Sequence, residues 1–158
     1  MIKTTIKNEP LLRHKTECLI LFCIEETKPS GKLAELDTKL KGIVSSSFKN
    51  KRFEGKLNQT LLCNVAKPMR ADHLLLVGLG EGREVTADKL RQAAGSASKL
   101  AEKSKFKTIS FYIPADNSAK DVYAELDQSN DSFSQIVVEG SLLSLYCFDE
   151  YKQPAKEK

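Results

Sequence analysis

The chain holds no tryptophan, only two histidines and only four cysteines in 158 residues, and these shortages limit its chemistry. His14 lies in a polar segment and His73 at the start of an apolar run, far apart in sequence, so surface or structural roles are expected for both rather than metal ligation. Cys18, Cys23, Cys63 and Cys147 show no C-x-x-C spacing and lie inside apolar runs, where free thiols act as small hydrophobes. A disulfide framework is not expected in a chain of this length, and the cysteine usage suits a reducing cytoplasm. The opening MIKTTIKNEP lacks the apolar core of a secretory signal, and no run approaches membrane-spanning length, so no membrane partner is expected. H-E-x-x-H, G-x-S-x-G and a Walker A ending are all missing, as are internal repeats and low-complexity tracts.

What remains is an ordinary globular composition. Hydrophobic residues make up 41% and charged residues 29%, which excludes wholesale disorder and leaves enough apolar matter for one domain core. The net charge of +4 is a mild excess. Its densest clusters, Lys49–Asn50–Lys51–Arg52 and Lys103–Ser104–Lys105–Phe106–Lys107, are short and read as solvated helix ends rather than a phosphate-binding face.

Periodicity gives the elements. Ile2 to Ile6 reads as a short first strand. Glu17 to Glu25 is a nearly unbroken apolar run, as in a central strand covered on both faces. Leu33, Leu36, Leu40, Ile43, Val44 and Phe48 recur at helical steps, with Gly42 weakening that helix. Gln59 to Val65 and Asp72 to Leu79 are two further strands, joined too closely for a helix and therefore antiparallel neighbours. Thr86 is a good N-cap for a helix whose inner face is Leu90, Ala93, Ala94, Ala97, Leu100 and Ala101, small enough to approach the sheet closely. Lys107 to Pro114 is another strand, and residues 115–131 an irregular polar connection with at most a short helix at 119–127. Ser132 to Phe148 forms a last helix whose apolar face takes in Phe133, Ile136, Val137, Gly140, Leu143, Cys147 and Phe148. The expected fold is α/β: a single mixed β-sheet of about five or six strands flanked by helices on both faces. The runner-up is a two-layer α+β sandwich. Residues 1–149 read as the domain and residues 150–158 as a linker or tail.

The segment Leu74 to Thr86, LLLVGLGEGREVT, is the main candidate for ligand chemistry. The dinucleotide fingerprint G-x-G-x-x-G needs its third glycine where Arg83 stands, and Glu81 and Glu84 set negative charge where a phosphate would sit. A structural turn using positive φ angles is the favoured reading over a nucleotide site. Asp116, Asp121, Glu125, Asp127 and Asp131 read as solvated surface. Glu139, an acid in a long apolar helix, belongs either to an exposed edge, the favoured reading, or to a pair across an interface. No catalytic, cofactor-binding or metal residue is assigned.

Two segments carry a family resemblance. LLLVGLGEGREVTADKLRQAAGSASKLAEK, residues 74–103, resembles the strand, V-G-L-G turn and K-L-R-x-A-A-G helix of the N-terminal domain of leucyl aminopeptidases, the cytosol aminopeptidase family. VVEGSLLSLYCFDEYK, residues 137–152, is similar to the helix closing that domain. The resemblance implies a macro-domain-like fold and a non-catalytic assembly or regulatory role. It also implies a catalytic C-terminal domain of the same polypeptide as partner and a homo-hexamer. The two divalent metals of such enzymes, zinc or manganese, belong to that other domain, whose N-T-D-A-E-G-R segment is not found in this sequence. No cofactor is expected in the chain itself. The alternatives are an ADP-ribose or nucleotide module built on the macro-like fold, and DNA binding, as some bacterial members show. DNA binding would run through Lys49, Lys51, Arg52, Lys103, Lys105 and Lys107.

Overall fold

The computed structural model describes residues 2–26, 28–29, 31–65, 67–113 and 130–146. Its sheet has four strands among these residues: β1 (Cys18–Cys23), β2 (Thr60–Asn64), β3 (His73–Gly78) and β4 (Ile109–Phe111), in the order β2-β3-β1-β4. β1 runs parallel to β3, from Cys18 opposite His73 to Cys23 opposite Gly78, and parallel to β4 on its other edge. β2 pairs with β3 antiparallel, Thr60 opposite Val77, as the short connection between them requires. The sheet is therefore mixed.

β1 is central because its sequence, CLILFC, is apolar on both faces. Cys18 and Ile20 turn one way with Leu75 and Val77, onto helices α3 (Ala87–Lys103) and α4 (Asn130–Leu145). Leu19, Leu21 and Cys23 turn the other way with Leu74 and Leu76, onto α1 (Gly31–Lys39) and α2 (Ile43–Lys49). Side-chain alternation along a strand thus makes two cores from one sheet, with helices on both faces. Each fully buried leucine, isoleucine or valine in them contributes roughly 1.5–3 kcal/mol.

The structure corrects three expectations and widens a fourth. Ile2 to Ile6 forms no strand. Ile2 is 57% and Ile6 82% exposed, and with no strand beside them two alternate isoleucines cannot hold an extended pairing. The stripe from Leu33 to Phe48 is two helices, not one. The chain breaks at Lys41 and Gly42, which take φ values of 59° and 79°. Leu36, Leu40, Val44 and Phe48 nevertheless keep to one core. Buried Asp37 makes the break stable: its carboxylate accepts the Val44 N–H at 2.7 Å and the Ser45 hydroxyl, capping the start of α2.

The small residues of α3 serve α4 as well as the sheet. A Cβ added to Gly140 would lie 2.4 Å from the Arg91 carbonyl oxygen, and one added to Gly95 would lie 3.1 Å from Ser144 Cβ. The two helices cross backbone to backbone there. Leu143, placed on the buried face by periodicity, is 72% exposed. The buried stripe of α4 runs through Phe133, Ile136, Val137 and Gly140, and Leu142, Leu143 and Tyr146 lie off it, exposed. The expected short helix at 119–127, Cys147, Phe148 and the tail 150–158 lie outside the described residues.

Candidate functional site

The glycine turn sits at the carboxyl ends of β1 and β3, where open α/β sheets commonly receive ligands. Its main chain is already engaged. The Gly78 N–H donates to Gln59 O at 2.8 Å, the Leu79 N–H to Cys23 O at 2.8 Å, and the Gly80 N–H to Gly55 O at 3.0 Å. The carbonyls of Gly80 and Gly78 accept from Glu25 N and Asn58 N at 2.8 and 3.0 Å. The segments after β1, before β2 and after β3 are thus stitched together by backbone bonds. A phosphate cradle needs free N–H groups converging on one point, and those of residues 78–80 point into neighbouring chain.

The glycines serve this packing, which corrects the expected reason for them. Of Gly78, Gly80 and Gly82 only Gly80 takes a positive φ, 79°. Gly78 is extended, and a Cβ on it would stand 2.0 Å from Lys56 O. After the turn, a 3-10 stretch at Gly82–Glu84 leads to Thr86, whose hydroxyl caps α3 by accepting the Lys89 N–H at 3.2 Å. Glu84 pairs with Lys89 at 3.6 Å, so this helix start already carries its own carboxylate.

The two basic clusters do not meet. Lys49 to Arg52 follows α2, and Glu54 and Gly55 bond Glu26 and Gly80 at the carboxyl end of β1 and β3. Lys103 to Lys107 follows α3 and leads to Thr108, whose carbonyl accepts the Cys18 N–H at the opposite end of β1. Lys51 and Lys105 take left-handed φ values of 55° and 61°, each just past a helix end, the place of a C-terminal cap.

The titratable groups fall mostly into structural roles. The His73 ring lies 4.8 Å from that of Phe106, with Nδ1 3.3 Å from Glu17 O. His14 lies between Glu9 and Ser110, a pairing across 96 positions that the sequence did not signal. Glu139 pairs with Arg91 on α3 of the same chain at 3.1 Å while 38% of its side chain is exposed, which suits the exposed-edge reading. A hydrogen bond from Gln135 and then the Arg91 guanidinium hold its carboxyl below the usual range. Burial pushes the Cys18 thiol up to about 11 and raises Cys23 and Cys63 as well, which removes thiolate chemistry near neutrality. Among the described residues no three His, Cys, Asp or Glu side chains stand together as a metal site, so the two metals implied by the resemblance find no fit there. Asp116, Asp121, Glu125 and Asp127 lie outside the described residues.

Residues 20–155 match the family model for the N-terminal domain of the cytosol aminopeptidase family. The chain belongs to that family. A probable cytosol aminopeptidase of Geotalea uraniireducens is 32% identical over 149 residues, which cover 93% of this chain and 28% of that protein. The chain spans under a third of the length of the curated relatives it matches, 26–30%. Among solved structures, a tomato leucine aminopeptidase mutant superposes with a TM-score of 0.70 at 17% identity, covering 96% of this chain and 29% of that one. The macrodomain of Mycobacterium tuberculosis DarG superposes at 0.68 and 10% identity, covering 88% and 90%. The cytosol aminopeptidase N-terminal domain therefore shares a macro-like fold, and the glycine turn is part of the stretch matched by the family model.

Proposed function

We propose that the chain acts as an assembly or regulatory domain, non-catalytic toward peptides, of a cytoplasmic metal-dependent aminopeptidase. Residues 1–149 form the domain, and residues 150–158 lead toward a catalytic domain that holds the metals. The observation that carries this reading is coverage: the match takes in 93% of this chain but only 28% of the relative, within the segment described as N-terminal. The catalytic domain is the chain's principal partner, and a hexamer is its working assembly. The test is hydrolysis of leucine p-nitroanilide by the purified chain with manganese or zinc. No release of nitroaniline is expected, and turnover that scales with both metal and chain would overturn the reading.

The two alternatives have less support. An ADP-ribose module rests on the macro-like fold alone, and the N–H groups of residues 78–80 are already bonded. DNA binding needs several aligned cations, and the two basic clusters lie toward opposite ends of the sheet.

A further inference from the structure

One cluster of polar side chains is assembled from separate parts of the chain. His14 Nδ1 lies 2.8 Å from Glu9 Oε2, and His14 Nε2 lies 2.7 Å from Ser110 Oγ. Ser110 Oγ also donates to Thr16 Oγ1 at 3.2 Å. The fold holds Ser110 and His14 in place. Ser110 is the middle residue of β4, the outermost strand among the described residues, whose neighbours Ile109 and Phe111 turn into the α3–α4 core, leaving Ser110 on the opposite face. The segment carrying His14 is pinned before and after it: Leu12 O accepts the Arg70 N–H, and Thr16 O accepts the Asp72 N–H, both at 3.2 Å. Leu11 and Leu12 also pack against the α1–α2 core.

The polarity of the array follows from its members. A carboxylate only accepts, so Glu9 fixes the imidazole proton on Nδ1. Nε2 is then the acceptor nitrogen, and the Ser110 hydroxyl facing it at 2.7 Å reaches it by turning its single proton away from Thr16 Oγ1. Nucleophile, base and orienting carboxylate stand in the order used for acyl transfer. The His14 side chain is 18% exposed and Ser110 is partly buried.

We propose that Ser110 is an acyl-accepting nucleophile, with His14 as its general base and Glu9 as the positioning residue. Its substrates are small activated esters. The Ser110 Oγ–carbonyl bond forms as the Oγ proton passes to His14 Nε2. The carbonyl–oxygen bond to the leaving alcohol or phenol then breaks, and that oxygen takes the proton from Nε2. Water, deprotonated by His14, can later release the acid. Strand pairing limits the rate. The Cys18 N–H bonds Thr108 O and the Tyr112 N–H bonds Ile20 O, and this alternation turns the Ser110 N–H toward β1 as well. The Ser110 N–H is therefore not offered to the developing oxyanion. Aryl esters react, and the alkyl ester formed on Ser110, being less activated, accumulates.

The test is incubation of the full chain with p-nitrophenyl acetate, followed by peptide mapping. Acetyl on Ser110 with a nitrophenolate burst is expected. The His14→Gln variant should slow acylation by ~10²-fold or more, and Glu9→Gln by at least about tenfold, with Glu9→Asp recovering part of the loss. Thermal melts of each variant separate loss of base from loss of fold. Acetyl found only on lysines, or equal labelling of Ser110 in a folded His14→Gln chain, overturns the proposal. The outcome is independent of peptidase activity, because that chemistry is assigned to another domain.

Discussion

Gly78 and Lys56 meet backbone to backbone, so closely that a Cβ on Gly78 would stand 2.0 Å from the Lys56 carbonyl oxygen. No side-chain rotamer relieves such a clash, because the obstructing atoms belong to main chain. Gly78→Ala must move the segment before β2 and is expected to cost about 3 kcal/mol or more. Gly82→Ala is the matched control. Its nearest obstacle is the end of the Ile24 side chain at 3.4 Å, and under about 1 kcal/mol is expected. Urea unfolding of both variants checks this, and equal losses would refute the packing argument.

Asp37 joins the two short helices. Its carboxylate takes the Val44 N–H and the Ser45 hydroxyl, and its own carbonyl accepts the Gly42 N–H at 3.0 Å. Asp37→Ala leaves the buried Val44 N–H at the start of α2 uncapped, a loss of roughly 1–2 kcal/mol. Chemical denaturation measures it, and an unchanged midpoint would contradict the capping role.

The Glu139 carboxyl is depressed by Gln135 and Arg91 in the folded chain. A depressed carboxylate adds stability above its unfolded value, about 4.3, and the contribution fades as pH falls through the lower folded value. Glu139→Gln should therefore melt below the parent chain at about pH 6, with the gap closing toward about pH 3. A gap that persists unchanged in acid would show that the ion pair is not its source. Since the pair is exposed, the effect is small and salt-sensitive.

Calorimetry with ADP-ribose addresses the macro-like alternative. With the N–H groups of residues 78–80 bonded to Gln59, Cys23 and Gly55, no heat is expected at about millimolar ligand, a range that detects binding worth roughly 4 kcal/mol. Saturable heat would mean that the stitched turn opens to receive a ligand.

Where local chemistry decides the outcome, the sequence was a good guide. The apolar run at β1, the antiparallel pairing of β2 and β3, and the Thr86 cap all depend on neighbours within a few positions. So does the placing of helices on both faces, since alternation in β1 and β3 is legible in CLILFC and HLLLVG. Failures came where a distant partner decides. Ile2 and Ile6 alternate like a strand, but a strand needs an edge to pair with. The stripe of Leu36, Leu40, Val44 and Phe48 hides the break at Gly42, since both short helices face the same core. Gly78 looked like a turn residue because proximity to Lys56 has no signature in sequence. His14, Glu9 and Ser110 met only through the fold, with Ser110 lying 96 positions from His14.

β1 has hydrogen-bonded strands on both edges and a hydrophobic core on each face. Its six residues are the common wall of those two cores. Loss of either core strips that wall on one side and exposes Cys18 and Ile20, or Leu19, Leu21 and Cys23, to water. Neither half of the molecule has a β1 of its own with which to persist alone. Two hydrophobic clusters that share no side chain therefore melt as one cooperative unit, and the amide protons of β1 are the last to exchange with solvent.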